Sequence, residues 1–148
     1  MTFSPSFRPY NSTDRETCLA IFDANCPSFF APNERADYIS FLDATPEDYE
    51  VCEVDRGIVA AFGLTPGDAN DNRLVWIMLD PGSQGAGIGS VIMQRIISQS
   101  RDSGSWMIRI AASQKSAPFF AKFGAKVTAH TKDGWGPGMD RVDMEIVL

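Results

Sequence analysis

The sequence predicts an α/β protein of the α+β type, with a mixed central sheet of about seven strands and about four helices. Apolar patterns of strand and helix length follow one another in the order strand, two helices, three strands, helix, strand, helix, two strands. Short polar turns join the three consecutive strands, which predicts an antiparallel meander. The strand, helix and strand that follow require a crossover connection, which predicts parallel pairing.

The first third of the chain predicts one strand and two helices. Residues 3–10 form a strand at the edge of the sheet, because prolines interrupt it. Thr13-x-x-Glu16 has the form of a capping box and opens a helix that ends near Asn25. A second helix starts around Pro32-Asn33 and stops at the Thr45-Pro46 turn.

The middle of the chain predicts the meander. Residues 49–54 alternate between apolar and polar side chains and read as a strand, Asp55-Arg56-Gly57 as a hairpin turn, and residues 58–64 as the returning strand. A longer turn over residues 66–72 then leads into a continuous apolar run at residues 74–79. This run predicts a buried central strand.

The last third of the chain predicts three strands and a short helix. Residues 106–111 form the strand that pairs in parallel with the central strand. Residues 116–123 form a short helix, because proline is tolerated in the first turn and glycine follows the last. Two final strands lie at residues 126–131 and 141–148, joined by a loop over residues 132–140.

A glycine-rich turn joins the central strand to the next helix. Asp80-Pro81-Gly82 ends the strand, and residues 84–89 read Gln-Gly-Ala-Gly-Ile-Gly. Apolar residues then recur at helical spacing. The first N–H groups of a helix lack intrahelical partners and carry the positive end of its dipole, so the turn predicts a phosphate-binding site. The alternative is that these glycines serve only a tight connection.

Two common nucleotide-binding loops do not fit this turn. A P-loop needs Lys and then Ser or Thr after its last glycine, but Ser90-Val91 follows Gly89. A dinucleotide fingerprint needs G-x-G-x-x-G and an acidic residue at the end of the next strand. The spacing here is G-x-G-x-G, and the next strand ends Ile110-Ala111-Ala112.

Composition limits the class of protein. The 148 residues carry a net charge of −6; 44% of them are hydrophobic and 22% charged, which predicts one globular domain over residues 1–148. Because Lys and Arg are not clustered, we expect no nucleic-acid partner. An acidic surface favours a cationic acceptor such as an amine.

We also expect no membrane partner and a cytoplasmic location. No apolar run approaches the roughly eighteen residues of a spanning helix, and the N-terminus lacks a basic segment followed by an apolar one.

The cysteines and the single histidine predict no metal site. Cys18, Cys26 and Cys52 are an odd number without C-x-x-C spacing, and His130 has no cluster of ligands around it in sequence. Cys18 lies in an apolar helical pattern and reads as a small buried side chain. Cys26 and Cys52 have no neighbouring base or cation that would activate a thiolate, which disfavours a catalytic thiol.

The glycine-rich turn resembles the coenzyme A loop of the GCN5-related N-acetyltransferase (GNAT) family. That family's motif is Gln/Arg-x-x-Gly-x-Gly/Ala after a strand that ends V-x-P; here Leu79-Asp80-Pro81 precedes Gln84-Gly85-Ala86-Gly87-Ile88-Gly89. Residues 113–125 are similar to the family's later segment, in which an aromatic precedes Gly-Phe. With the order of elements, the resemblance spans nearly the whole chain and implies a GNAT-like sheet with its parallel crossover at the cofactor site.

The resemblance implies that the cofactor is acetyl-CoA. Its diphosphate would bind the main chain of the loop, and its pantetheine arm would bond to backbone groups that are left unpaired where two parallel strands splay apart. The cofactor-binding residues implied in this way are Ile77, Met78, Leu79, Gln84, Gly85, Ala86, Gly87, Ile88, Gly89, Ser90, Ser113 and Phe120.

The implied reaction is attack by a neutral amine on the thioester carbonyl. The backbone N–H of Leu79 would stabilise the oxyanion. In the family a Tyr usually protonates the departing thiolate, but that position is Phe120 here, so water or another residue supplies the proton, or the thiolate leaves unassisted. Ser113 stands where the family commonly has Asn, and Ala125 replaces the Phe of Gly-Phe.

The candidates for the general base and the acceptor site lie near the C-terminus. In the family the loop before the last strand lies beside the acceptor, so Trp135 and Asp140 could form an aromatic wall and a carboxylate that select and deprotonate a cationic amine. Alternatively, Asp140 caps the turn or pairs with Arg141. His130 is chemically suited to a base, although a lone histidine on a strand is often structural.

We therefore predict an N-acetyltransferase that moves acetyl from acetyl-CoA to an amine of a small molecule or peptide by direct attack. The absence of Tyr at position 120 motivates one alternative, a catalytically inactive acyl-CoA-binding or sensor module. Another alternative is a structural domain without a ligand. The sequence leaves open the amine, the acyl-chain preference and the oligomeric state, and a homodimer is compatible with it.

Overall fold

A mixed sheet organises the protein. The computed structural model describes residues 4–55, 57–85 and 87–148. Seven strands in this part of the chain form the sheet in the order β1-β2-β3-β4-β5-β7-β6. They are β1 (Ser6–Pro9), β2 (Tyr49–Val54), β3 (Gly57–Pro66), β4 (Asp71–Leu79), β5 (Met107–Ser113), β6 (Lys126–Gly136) and β7 (Met139–Val147). β4 and β5 pair in parallel and the other neighbours are antiparallel, which confirms the predicted fold class.

Four α-helices lie in the same described residues, in the predicted order. They are α1 (Arg15–Ala24), α2 (Glu34–Asp43), α3 (Ile88–Asp102) and α4 (Ala117–Ala121). Short 3-10 turns precede α1 and α3, at Ser12–Asp14 and Pro81–Ser83. None of the helices in the part of the chain described here combines the length and the apolar character needed to cross a bilayer.

The start of α1 differs from the prediction. The Thr13–Glu16 capping box is wrong, because the 3-10 turn moves the cap upstream: the N–H of Thr13 donates to Asn11 Oδ1 at 3.0 Å. The N–H of Asn11 in turn donates to Asp14 Oδ2 at 3.0 Å, and Arg8 of β1 pairs with the same carboxylate. Asp14 therefore joins the edge strand to the helix. Phe3 of the predicted first strand, Arg56 of the predicted hairpin turn and Ala86 lie outside the described residues.

The end of the chain also differs. Residues 132–140 were predicted to form a loop, but β6 continues to Gly136 and β7 begins at Met139. The carboxylate of Asp140 accepts the N–H of Asp133 across the hairpin, and Gly138 adopts a φ of +76° at its tip. These contacts keep the two strands together, so the hairpin extends beyond the predicted strand end.

Helices cover both faces of the sheet and enclose two apolar clusters. One cluster contains side chains of α3 and α4, such as Ile92, Ile96 and Phe120. The other contains side chains of α1 and α2, such as Phe22 and Tyr38. We call these the α3 face and the α2 face of the sheet. β4 lies between them and contributes to both.

Candidate functional site

The strands β4 and β5 separate halfway along their length. Their parallel pairing covers Asp71–Leu74 against Met107–Ile110 and stops there. Beyond Leu74 and Ile110 a cavity of about 660 Å³ opens between the two strands. Its lining includes Phe120 from the α3 face and Phe30 from the α2 face. The cavity therefore passes through the sheet.

A β-bulge in β4 lies at the start of this gap. Residues two apart on a regular strand share a face, yet Leu74 packs on the α3 face whereas Trp76 and Met78 pack on the α2 face. The reversal occurs where the register with β3 shifts and Trp76 adopts a φ of +45°. A Cβ on Gly63 would lie 2.7 Å from the Val75 side chain, so glycine is required opposite the bulge. The bulge thus places an indole in the wall of the cavity.

The structure gathers most of the predicted cofactor residues around this cavity. The predicted cofactor residues that line it are Ile77, Met78, Leu79, Gln84, Gly85, Gly87, Gly89, Ser90, Ser113 and Phe120. Trp135, which was predicted for the acceptor site, lines the cavity as well. Ile88 does not line it; its side chain is 2% exposed and packs in the core of the α3 face. Ala86 lies outside the described residues.

The glycine-rich loop presents open main chain at the start of α3. Gly85 and Gly87 have φ values of +84° and +80°, and a Cβ on either would meet open space. No described residue accepts the N–H of Ile88 or Gly89, which point from the first turn of the helix. The exposed main chain and the positive end of the helix dipole fit a diphosphate. A Cβ on Gly89 would lie 3.0 Å from the Phe119 ring, so glycine there lets α4 pack on the loop.

The edge of β4 offers backbone polar groups to the gap. The N–H of Asp80 donates to the carbonyl of Val59 in β3 at 2.7 Å. The backbone N–H and C=O groups of successive residues point to opposite edges of a strand. Those of Asp80 and Met78 therefore point towards β3, and those of Leu79 point towards the gap. Asn25 Nδ2, at the end of α1, donates to the carbonyl of Leu79 at 3.0 Å. By the alternation of the ladder, the Leu79 N–H lies on the same edge of the strand and faces the gap.

Ser113 of β5 and Phe120 of α4, which the resemblance implied for cofactor contact, interact mainly with neighbouring residues of the chain. The Ser113 hydroxyl accepts the N–H groups of Lys115 and Ser116, each at 3.2 Å, and so caps the turn before α4. Phe120 is 4% exposed and packs against Phe119, with ring centroids 5.2 Å apart. Its ring gives the cavity an apolar wall and carries no proton to donate.

Aromatic side chains line the part of the cavity on the α2 face. We call Phe29, Phe30, Trp76 and Trp135 the aromatic wall. The Trp135 indole donates to the carbonyl of Ala112 at 2.9 Å, and Asn33 Nδ2 donates to the carbonyl of Trp135 at 2.7 Å. The second bond joins the β6–β7 hairpin to the segment between α1 and α2. The two segments together close one side of the cavity.

A buried carboxylate also lines this part of the cavity. Glu34, the first residue of α2, is 6% exposed, and its Oε2 accepts the N–H of Ala31 at 2.7 Å. No described residue forms an ion pair with it. Burial raises the pKa of Glu34 above that of an ordinary glutamate. The charge of Asp37 raises the pKa further, whereas the hydrogen bond from the N–H of Ala31 lowers it. Sequence reasoning missed Glu34, because a carboxylate in the first turn of a helix is typical of capping.

His130 and Asp140 lie together but outside the lining of the cavity. His130 Nε2 and Asp140 Oδ2 are 2.8 Å apart on the outer hairpin. The N–H of Asp133 and the bond to His130 hold the pKa of Asp140 below its ordinary value, which makes it a weak base. Arg141 pairs with Asp143 rather than with Asp140. The structure therefore does not bring either proposed base to the site, and Asp140 caps the hairpin.

Comparison with known proteins gives a consistent result. A family model described as the acetyltransferase (GNAT) family matches residues 18–125, while no curated protein matches the sequence. Ard1 from Thermoplasma volcanium superposes with a TM-score of 0.81 and 17% identity over 97% of each chain. The ribosomal-protein-S18-alanine N-acetyltransferase from Escherichia coli gives 0.78 and 14%, over 97% of this chain and 94% of that one. The Salmonella typhimurium protein yncA, with its cofactor acetyl-CoA, gives 0.71 and 15%, over 98% and 94%. At such identities these structures share the fold.

Proposed function

We propose, from the premise that this chain belongs to the acetyltransferase (GNAT) family, that it moves acetyl from acetyl-CoA to a primary amine of a small molecule or peptide. The family uses acetyl-CoA, which confirms the cofactor expected from the glycine-rich loop. The comparisons do not support the alternative of an inactive acyl-CoA-binding module.

The observation that carries this proposal is the passage through the sheet. The gap between β4 and β5 opens on the α3 face beside the glycine-rich loop and on the α2 face beside the aromatic wall. Two ligands that enter from opposite faces would meet at the end of β4, where the Leu79 N–H points into the cavity. Such an arrangement supports transfer of a group directly from one ligand to the other.

The residues of the α3 face fit acetyl-CoA. The main chain of Gly85, Gly87, Ile88 and Gly89 would hold the diphosphate, because a Cβ on Gly85 or Gly87 would meet open space and no described residue accepts the N–H of Ile88 or Gly89. The gap-facing edge of β4 would take the amides of the pantetheine arm, as an added strand does. Acetyl-CoA supplies an acetyl group that is activated as a thioester.

The protein groups at the end of β4 would assist the transfer. The N–H of Leu79 would donate to the carbonyl oxygen of the acetyl group and stabilise the charge that develops there. Asn25 holds the neighbouring Leu79 carbonyl in place. The apolar wall that includes Phe120 limits water around the reacting atoms, and the proton for the departing sulfur comes from water or another residue.

The proposal is tested by incubating the protein with acetyl-CoA and a panel of primary amines. Thiol release is followed with a chromogenic reagent, and the acetylated amine is identified by mass spectrometry. We expect release that rises with the concentration of at least one amine, together with the matching product. Binding of acetyl-CoA without release above the amine-free background, for every amine in the panel, would contradict the proposal.

A further inference from the structure

We infer that Glu34 binds the ammonium group of the acceptor and takes its proton, and that the acceptor is a primary amine on an apolar body without a carboxylate beside the amine. The inference rests on the proposed function and adds the base and the substrate class. One N–H bond of the ammonium breaks, its electron pair stays on nitrogen, and the proton goes to Glu34 Oε1. Water then carries the proton away.

The first support is that only one carboxylate oxygen of Glu34 accepts a hydrogen bond from a described residue. Oε2 accepts the N–H of Ala31, whereas Oε1 has no hydrogen-bond partner among the residues that the structure describes. The residue is 6% exposed but lines the cavity. A buried carboxylate that forms no ion pair with a described residue is costly, so a cation that enters the cavity gains affinity by pairing with it.

The second support is the distribution of charge around the cavity. Its lysines, Lys115 and Lys122, flank α4, which packs on the α3 face. On the α2 face Asp37 adds negative charge near Glu34. Arg141 lies over the Trp135 ring at 5.1 Å and is paired with Asp143. The charges therefore favour a cation on the α2 face and oppose a second carboxylate there.

The third support is the aromatic wall. The Phe30 and Trp76 rings are 6.2 Å apart and both line the cavity, as do Phe29 and Trp135. Aromatic faces attract cations and take up apolar groups. They include no cationic side chain for a carboxylate, and of their two indole N–H groups that of Trp135 is bonded to the carbonyl of Ala112, which leaves the Trp76 N–H as one neutral donor. An amine on an apolar body matches this lining.

The fourth support is the connection between Glu34 and the reacting end of β4. Asn25 donates to the carbonyl of Leu79 and its own carbonyl accepts the N–H groups of Phe29 and Phe30. Ala31, which follows Phe30, donates to Glu34. The segment that carries the carboxylate is thus fastened to the residue whose N–H faces the acetyl group. Burial, which raises the pKa of Glu34, also makes it a better proton acceptor than an ordinary surface glutamate.

The test compares Glu34→Gln with the wild-type protein. Glutamine keeps the size of the side chain and can still accept the N–H of Ala31, so the fold should persist. General-base catalysis contributes about 10²–10⁴-fold, so we expect kcat/KM for the best amine of the panel to fall by at least about 100-fold. The Kd for acetyl-CoA, measured by calorimetry, should stay within about twofold, since Glu34 lies on the opposite face. The matched control Glu47→Gln, at an exposed position after α2, should leave both unchanged.

The substrate class is tested with 2-phenylethylamine and phenylalanine, which differ by one carboxylate beside the amine. We expect kcat/KM to be at least about tenfold higher for 2-phenylethylamine, because like charges repel in a buried site. A second readout is the tryptophan fluorescence of the CoA-bound protein during titration with 2-phenylethylamine, since Trp76 and Trp135 line the cavity. Glu34→Gln should weaken this binding.

The outcomes separate the two proposals. Equal kcat/KM for Glu34→Gln and wild type overturns the role of Glu34 and leaves the proposed function standing. Equal or faster turnover of phenylalanine overturns the substrate class. If the wild-type protein acetylates no amine, the proposed function fails and the inference fails with it.

Discussion

At the scale of single residues, Gly87 is the position where an added side chain should affect the proposed function most directly. It precedes α3 with a φ of +80°, and open space surrounds the position of its missing Cβ. A side chain there would meet no neighbouring atom, although the positive φ strains residues other than glycine, and it would occupy the surface that an anion needs. At Gly87 the absence of a side chain matters, whereas at Glu34 the side chain itself matters. It is needed for the proposed function if a cation enters the cavity.

We predict that Gly87→Asp weakens the binding of acetyl-CoA by at least about tenfold while the fold persists. Aspartate tolerates the left-handed conformation better than most residues, and its charge suits a helix N-terminus, but it would repel the diphosphate. Calorimetry gives the Kd, and circular dichroism checks the fold.

Two variants serve as controls for Gly87→Asp. Gly87→Asn has the same size without the charge and should weaken binding less. Gly104→Asp introduces the same residue at the same φ of +80°, beyond the other end of α3, and should leave the Kd unchanged. If Gly87→Asp binds acetyl-CoA as tightly as the wild type does, the loop is not the diphosphate site.

At the scale of elements, the β6–β7 hairpin and the segment between α1 and α2 act as one wall. Asn33 donates to the carbonyl of Trp135, and a Cβ on Gly136 would overlap Asn33 Oδ1 and approach Ala31 Cβ to 2.9 Å. Glycine at 136 thus allows the two segments to touch. The contact also sets the position of Trp135 in the aromatic wall.

We predict that Gly136→Ala raises KM for the amine by about tenfold and leaves the Kd for acetyl-CoA unchanged. The added methyl group forces the hairpin away from Asn33 and so displaces Trp135, whereas the glycine-rich loop is unaffected. Steady-state kinetics with varied amine measures the effect. Pro137→Ala, at the exposed tip of the same hairpin, is the control and should behave as the wild type does. An unchanged KM in Gly136→Ala would show that the hairpin does not shape the acceptor site.

At the scale of the whole molecule, the cavity divides one end of the sheet and opens on both of its faces. β4 and β5 share only the pairing from Asp71–Leu74 to Met107–Ile110, so the halves of the sheet lack ladder bonds beyond it. A ligand that bonds to the free edge of β4 would complete the sheet. Ligand binding and fold stability are therefore expected to be coupled.

We predict that acetyl-CoA at about 100 times its Kd stabilises the protein by about 2.7 kcal/mol and raises Tm by about 5–10 °C. Differential scanning fluorimetry measures the shift. ATP, which offers phosphates without a pantetheine arm, should raise Tm less. No shift with acetyl-CoA is the outcome expected of a structural domain without a ligand, and it would argue against the proposed function.

The sequence by itself determined the order of the elements, the parallel crossover and the glycine-rich turn. These features depend on local signals: apolar periodicity, turn residues, and glycines that allow positive φ at positions 85 and 87. A family resemblance could be recognised for the same reason, since its motif is contiguous.

Only the tertiary structure decided which side chains line the cavity. The bulge that turns Trp76 into the cavity wall depends on Gly63 in the neighbouring strand, and Trp135 is placed by Asn33, 102 residues away. The same packing buries Glu34 and leaves His130 and Asp140 on the outer hairpin. Burial and pairing between distant segments carry no local signature, so chemically plausible residues could not be ranked until the chain was folded.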